Sequence, residues 1–82
     1  MAIDHAAKLE TIFQDLMTEE TVPARKRTKL NCAHWDSLMQ LGLISAIEQE
    51  FGVSISDEDA IDLNSFDSAL QIVSEKLTAQ KS

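Results

Sequence analysis

The chain has 82 residues, which is enough for one small domain, and its 44% hydrophobic and 26% charged residues are typical of a globular protein. A net charge of −7 disfavours nucleic acid as a main ligand, because phosphate would be repelled. The single cysteine excludes an internal disulfide, and no run approaches the ~20 apolar residues of a membrane span. We therefore expect one cytoplasmic, monomeric domain over residues 1–82, ordered over about 3–78, without membrane insertion or a signal peptide.

The first third of the chain predicts one helix and one long loop. Leu9, Ile12, Phe13 and Leu16 have helical spacing and predict a helix over residues 3–17. Residues 18–31 lack a clear period and contain the only proline, so they are expected to form a loop. This loop carries a basic run formed by Arg25, Lys26, Arg27 and Lys29. The run is either solvated or balances the acidic charge of the rest of the chain. A third alternative is that it contacts the phosphates of a cofactor, or an acidic partner.

A second helix is predicted over residues 37–51. Ser37 with Gln40 matches a capping box at its start, and Gly52 occupies the position of a left-handed stop. Gly42 inside the helix indicates either a closely packed neighbour or a tolerated cost. One apolar stripe is expected to face the core, widened by Leu43 and Ala46: Leu38, Leu41, Ile44, Ile47 and Phe51.

Two further helices complete the prediction. Ser56 followed by three acidic residues predicts a short helix over residues 57–62, because acids favour the positive end of a helix dipole. Asn64 or Ser65 is expected to cap a last helix, with an inner face formed by Phe66, Ala69, Leu70, Val73 and Leu77. The predicted fold is an all-α, small four-helix bundle with three main helices and one short helix.

Ser37 is the residue with the greatest chemical interest. A serine at a helix start lies among free backbone N–H groups that favour a negative group, such as a phosphate ester. Helix physics alone leaves a plain cap as the alternative, because Ser and Asp are common caps. Asp36 beside it is expected to cap the helix, bind a cation or orient the hydroxyl.

The order of motifs resembles the acyl carrier protein family. The sequence DSL at residues 36–38 is followed by IEQEFGVSISDEDA and then by a capped last helix. The resemblance implies that Ser37 carries a 4′-phosphopantetheine arm, attached from coenzyme A by a magnesium-using transferase, whose thiol holds acyl groups as thioesters. It also implies that Asp36 is the neighbour read by the transferase and that Leu38 is the third member of the cofactor-attachment motif.

The resemblance further implies a set of partner enzymes that dock on the second helix and its surroundings. The partners would be a phosphopantetheinyl transferase, an acyl-loading ligase or acyltransferase, and downstream pathway enzymes. Residues 31–75 contain nine acids and no lysine or arginine, which suits a partner with a basic docking surface. The alternative is that the acidity only keeps a small domain soluble. The expected partner-binding residues are Trp35, Met39, Glu48, Asp57, Glu58 and Asp59.

Departures from the family pattern indicate a specialised carrier rather than the primary fatty-acid carrier. Met39 and Gly42 stand where acids are expected after DSL, and Trp35 precedes Asp36 where a smaller residue is usual. Acyl cargo is favoured by the acidity of the chain; an aminoacyl or peptidyl carrier and an unmodified acidic interaction domain are the alternatives. No metal site is predicted, since Cys32 and His34 lack two further ligands. No catalytic residues are predicted, because the chain is too short to build a substrate pocket around a cysteine–histidine pair.

Overall fold

The computed structural model describes residues 4–80, with the side chains of residues 79 and 80 left undescribed. Within that range the chain forms four α-helices and a single 3-10 turn, and no strand. The helices are α1 (His5–Leu16), α2 (Ser37–Phe51), α3 (Asp57–Asp62) and α4 (Phe66–Gln80), and the 3-10 turn is Ala24–Lys26. The all-α prediction is confirmed. The single-domain extent stays a prediction, and the predicted helical residue Ile3 lies outside the described residues.

Side-chain caps fix the helix starts. Asp4 accepts a hydrogen bond from Ala7 N and begins α1. Ser56 and Asp59 form a reciprocal capping box at α3. Of the two candidates for the α4 cap, Ser65 takes the role, because its Oγ accepts a hydrogen bond from Ser68 N at 3.0 Å.

The core lies where α1, α2 and α4 pack together. Phe13 is at its centre and makes edge-to-face contacts with Trp35 and Phe66 at ring-centroid distances of 5.4 and 5.3 Å. The predicted inner faces of α1 and α4 are buried or partly buried as expected. The largest fully buried side chains are Phe13, Phe66, Leu9, Met17, Leu43, Ile47, Leu63 and Val73.

The predicted apolar stripe of α2 is wrong in its first half. Leu43 and Ile47 are fully buried, whereas Leu38 and Leu41 are 78% and 65% exposed. Apolar residues occupy more than one face of α2, so the helix cannot bury all of them against a single core. The helix turns Leu43 and Ile47 inward and leaves Leu38 and Leu41 outside.

The loop between α1 and α2 is more structured than its sequence predicts. It contains the 3-10 turn, and Thr28 forms an isolated antiparallel bridge with Ser65. Arg27 is only 6% exposed, and its guanidinium donates to the backbone carbonyls of Phe13 and Val22 at 2.7 and 2.8 Å. A longer third bond of 3.4 Å reaches the Glu20 carbonyl. Arg27 therefore holds the loop together through buried hydrogen bonds and is not a solvated cation.

The two glycines play opposite parts. Gly52 ends α2 in the left-handed region at φ 66°, as predicted. A Cβ built on Gly42 would meet nothing within 4 Å, so Gly42 does not serve close packing. The open space favours the other alternative, in which the helix tolerates the lower helix propensity of Gly42.

Substitution Gly42→Ala is expected to raise the free energy of unfolding by up to about 1 kcal/mol, because alanine has the higher helix propensity and finds open space. Urea denaturation followed by circular dichroism measures this change. Gly52→Ala is the matched control and should destabilise the protein, since a Cβ is strained at positive φ. A destabilised Gly42→Ala would contradict the open space seen at this position.

Candidate functional site

Ser37 is the first residue of α2 and is exposed. Its hydroxyl makes no hydrogen bond with any of residues 4–80. The predicted capping box of Ser37 with Gln40 is wrong, because the cap is Asp36. Asp36 has extended backbone geometry, and its Oδ1 accepts a hydrogen bond from Met39 N at 2.9 Å. The capping task falls to the aspartate, which leaves the serine hydroxyl available to a visiting enzyme.

The first turn of α2 suits a phosphate group. Met39 N is bonded to the Asp36 side chain and Gln40 N to the Asp36 carbonyl. The N–H groups of Ser37 and Leu38 donate no hydrogen bond within the described part of the chain. Free N–H groups at the positive end of a helix favour an anion. The surroundings of Ser37 therefore fit the phosphodiester of a 4′-phosphopantetheine arm.

A groove of about 540 Å³ opens beside Ser37 between α2 and α3. Its wall is mainly apolar, and charged side chains lie among the lining residues. Lys29 belongs to it, although the basic loop precedes α2 by several residues. The lining is formed by Lys29, Trp35, Asp36, Ser37, Gln40, Leu41, Ile44, Asp57 and Ala60.

Three large apolar side chains near this groove face solvent. Leu38 follows Ser37 directly, Leu41 lines the groove, and Ile61 on α3 is 75% exposed. Burying such side chains is favourable, so an exposed set of this kind suits contact with another molecule. The resemblance implies a role for Leu38 in the attachment motif, but the helical spacing predicts both leucines on the core-facing stripe, and their exposure contradicts that placement.

Trp35 and Met39 are more enclosed than their predicted partner-binding roles require. Trp35 is 6% exposed, packs against Phe13 and donates from Nε1 to Gln40 Oε1 at 2.7 Å. Met39 is half-buried and packs against the core. Trp35 also lines the groove, so a partner could contact only its small exposed fraction. The contacts with Phe13 and Gln40 show that the Trp35 ring holds the end of the loop against the bundle.

The predicted docking acids divide into two groups. Glu48 accepts a hydrogen bond from Ile55 N at 2.8 Å, and Asp59 pairs with Lys76 at 2.6 Å. Hydrogen bonds from Lys76 and then Ser56 lower the pKa of Asp59. Asp57 and Glu58 are exposed, and their side chains form no ion pair within residues 4–80. The two bound acids stabilise the fold, and the other two are available to a partner.

The segment that leads into Asp36 is held by an acid–histidine cluster that sequence reasoning missed. Glu20 Oε2 accepts hydrogen bonds from His34 N and lies 2.9 Å from His34 Nδ1, while Glu19 lies 3.2 Å from His34 Nε2. Backbone and side-chain bonds from His34 lower the pKa of Glu20, and the bond to Glu20 raises the pKa of His34. No short-range spacing signals this pairing, because 14 residues separate the partners.

Cys32 and His34 do not form a shared reactive site. Cys32 is buried, its Sγ donates to Asn31 Oδ1 at 3.2 Å, and burial raises the pKa of its thiol. A thiol with a raised pKa is a poor nucleophile at neutral pH. Within residues 4–80 no group of three His, Cys, Asp or Glu side chains is arranged to hold a metal ion. None of the helices described is long and apolar enough to span a membrane.

Comparison with known protein families gives a match over the same region. Residues 35–73 match the family model described as a phosphopantetheine attachment site. The match includes Trp35, the DSL motif, all of α2 and α3, and the first half of α4. It agrees with the resemblance drawn from the sequence and with the helical fold. The match covers just under half of the chain. It supports a phosphopantetheine-bearing carrier protein in general and is consistent with a member of the acyl carrier protein family.

Proposed function

We propose that this carrier bears its 4′-phosphopantetheine arm on Ser37 and holds acyl intermediates on the arm as thioesters for partner enzymes. The observation that carries the proposal is the exposed Ser37 hydroxyl, free of hydrogen bonds within the described residues, at the first turn of α2. The other serines near the ends of α3 and α4 are bonded: Ser56 to Asp59, and Ser65 to Ser68. The bound arm supplies a thiol, which carries the cargo.

Each residue of the attachment motif has a physical task in this proposal. Asp36 fixes the start of α2 and so fixes the position of Ser37. During attachment the Ser37 oxygen replaces the nucleotide part of coenzyme A on phosphorus, and its proton passes to the transferase. The N–H groups of Ser37 and Leu38 then stabilise the phosphodiester charge. The second Asp36 carboxylate oxygen, which makes no hydrogen bond in residues 4–80, is available to the transferase or its magnesium ion.

The docking surface in this proposal combines charge with apolar contact. Asp57 and Glu58 are the acids that we assign to partner binding, while Leu38, Leu41 and Ile61 provide apolar area. Complementary charges speed encounter and set orientation, and buried apolar side chains supply affinity. The partners we propose are a phosphopantetheinyl transferase, an acyl-loading ligase or acyltransferase, and downstream enzymes of the cytoplasm. Glu48 and Asp59 contribute by holding the loop and α3 in place.

We further propose an acyl cargo and a specialised pathway. The acidic surface favours an acyl carrier over an aminoacyl or peptidyl carrier. Met39 and Gly42 stand where acids are expected in a primary fatty-acid carrier, so this part of α2 lacks that charge. Loading assays with acyl and aminoacyl donors separate the two cargo classes. Efficient loading with amino acids alone would overturn the acyl assignment.

Substitution Ser37→Ala is expected to abolish attachment of the arm, because it removes the only oxygen at the head of α2 that the transferase would modify. The protein is incubated with coenzyme A, magnesium and a broad-specificity phosphopantetheinyl transferase, and its intact mass is recorded. The unsubstituted protein should gain one phosphopantetheine. Ser45→Ala, on the same helix and exposed, is the matched control and should gain the same mass.

Two outcomes would count against the proposal. A mass gain in Ser37→Ala would move the attachment point to another residue. No gain in the folded unsubstituted protein would favour an unmodified interaction domain.

A further inference from the structure

The four basic residues of the loop before α2 lie in different surroundings. Arg25 forms a surface ion pair, and Arg27 is buried against backbone carbonyls. Lys26 and Lys29 are exposed, and neither ammonium forms an ion pair with any of residues 4–80. Of the four, only Lys29 lines the groove between α2 and α3. The fold therefore leaves one basic residue of this loop both at the groove and without a charged partner in the described part of the chain.

The backbone of Lys29 is held in place, although its side chain is exposed. Lys29 N donates to the carbonyl of Asn64 at 3.0 Å. The Asn31 side chain closes the turn around Lys29, since its Oδ1 accepts from Thr28 N at 2.8 Å and its Nδ2 donates to the Lys26 carbonyl at 3.0 Å. The ammonium itself lies at the end of a flexible four-carbon stem. Lys29 is thus a mobile cation attached to a fixed point at the groove.

The charges that line the groove make Lys29 the natural partner of a new anion there. Asp36 and Asp57 are the other charged residues of the lining, so Lys29 is its only cation. Neither carboxylate lies within ion-pair distance of the Lys29 ammonium. A phosphodiester on Ser37, which also lines the groove, would add one further negative charge. A lysine ammonium binds phosphate oxygens as a point charge and needs no fixed geometry.

We propose that Lys29 pairs with the phosphodiester of the arm on Ser37 and draws the base of the arm toward the loop side of the groove. This inference rests on the proposed attachment at Ser37. Lys29 takes no part in forming the ester bond, so it is a positioning residue. An exposed ion pair favours contact by up to about fivefold, so the pairing is partial and leaves the arm able to move.

The first test is phosphorus NMR of the modified proteins, because the arm brings a single phosphorus atom. Lys29→Met keeps the stem and removes the charge, and its phosphorus signal should be displaced from that of the unsubstituted protein. Lys26→Met is the matched control, since Lys26 is exposed on the same loop and does not line the groove. Its signal should coincide with that of the unsubstituted protein. Lys29→Arg keeps the charge, so its signal should lie closer to the unsubstituted protein than to Lys29→Met.

Ionic strength provides an internal check on the same spectra. Raising it from about 0.01 to about 1 M shortens the Debye length from about 30 to about 3 Å, which screens an exposed pair. The displacement between the unsubstituted protein and Lys29→Met should therefore fall to less than half. A displacement that is independent of salt would show that Lys29 acts on the phosphorus through the fold and not through its charge, and would overturn the pairing.

The second test needs no substitution. Nitrogen NMR of the lysine ammonium groups is recorded for the unsubstituted protein before and after attachment of the arm. The Nζ signal of Lys29 should shift on attachment, because a negative charge comes into contact with it. The Nζ signal of Lys26 should stay where it is. This measurement alone decides the matter if Lys29→Met takes up no arm.

The outcomes separate the pairing from the proposed function. Coincident phosphorus signals in Lys29→Met and the unsubstituted protein, or an unchanged Lys29 Nζ signal, overturn the pairing and leave the attachment at Ser37 standing. Equal displacements in Lys26→Met and Lys29→Met also overturn it, since the general charge of the loop would then be responsible. Failure of the unsubstituted protein to gain the mass of the arm overturns the proposed function, and the pairing with it.

Discussion

Substitution Arg27→Met should lower the free energy of unfolding by about 3 kcal/mol, because hydrogen bonds from a charged group contribute about 1.5–3 kcal/mol each and unpaired buried carbonyls are costly. The Arg27 guanidinium donates to the carbonyls of Phe13, Val22 and Glu20. Phe13 O keeps a second partner in Met17 N, whereas the carbonyls of Val22 and Glu20 accept no other hydrogen bond within residues 4–80. The loop that precedes the site would thus lose its internal anchor.

The measurement is chemical denaturation with Arg25→Met as the matched control. Arg25 is exposed and pairs with Glu10 at 3.2 Å on the surface. Exposed ion pairs contribute about 0–1 kcal/mol, so Arg25→Met should have a small effect. Equal effects of the two substitutions would show that Arg27 acts as an ordinary surface cation.

Substitution Phe13→Ala is expected to lower the free energy of unfolding by about 3–5 kcal/mol, because it leaves a large cavity at the centre of the core. Phe13 is fully buried, and both of its aromatic neighbours lose their edge-to-face contact. A domain of this size has a total stability of about 4–12 kcal/mol, so the loss is a large part of it. We expect thermal unfolding well below that of the unsubstituted protein.

Phe51→Ala is the control for Phe13→Ala, since Phe51 is only partly buried and packs at the edge of the core against His5. Its effect should be less than half as large. The emission of Trp35 in the folded state also distinguishes the two variants, because the described ring contacts of the indole include Phe13 and not Phe51. A Phe13→Ala protein as stable as Phe51→Ala would place the centre of the core elsewhere.

The sequence was sufficient to predict the helices because their signals are local. Apolar spacing located α1 and α4, and acids after Ser56 located α3. The boundaries of α2 agree with the prediction at both ends, and Gly52 ends it as expected. Caps and helical periods involve residues that are close in sequence, so they are readable without a structure.

The errors arise where tertiary contacts decide. Ser37 and Asp36 are both good caps, and only the backbone geometry shows that Asp36 takes the role. Arg27 has the same composition signal as its basic neighbours, yet packing buries it alone among them. Gln40 reaches carbonyls 20 and 23 residues away, which no spacing within α2 indicates. The exposure of Leu38 and Leu41 likewise follows from the face that α2 turns to the core.

The pattern of ion pairs gives the molecule an uneven electric field. Glu10 pairs with Arg25 and Glu50 with Lys8, while Glu19 and Glu20 share His34, which is a counter-charge only when it is protonated. Asp57, Glu58 and Asp62 on α3 have no such counter-charge within the described residues. We expect these three acids to attract a cationic partner enzyme toward the α3 side of the carrier. Adding salt weakens that attraction, so the rate of productive collisions should fall with ionic strength.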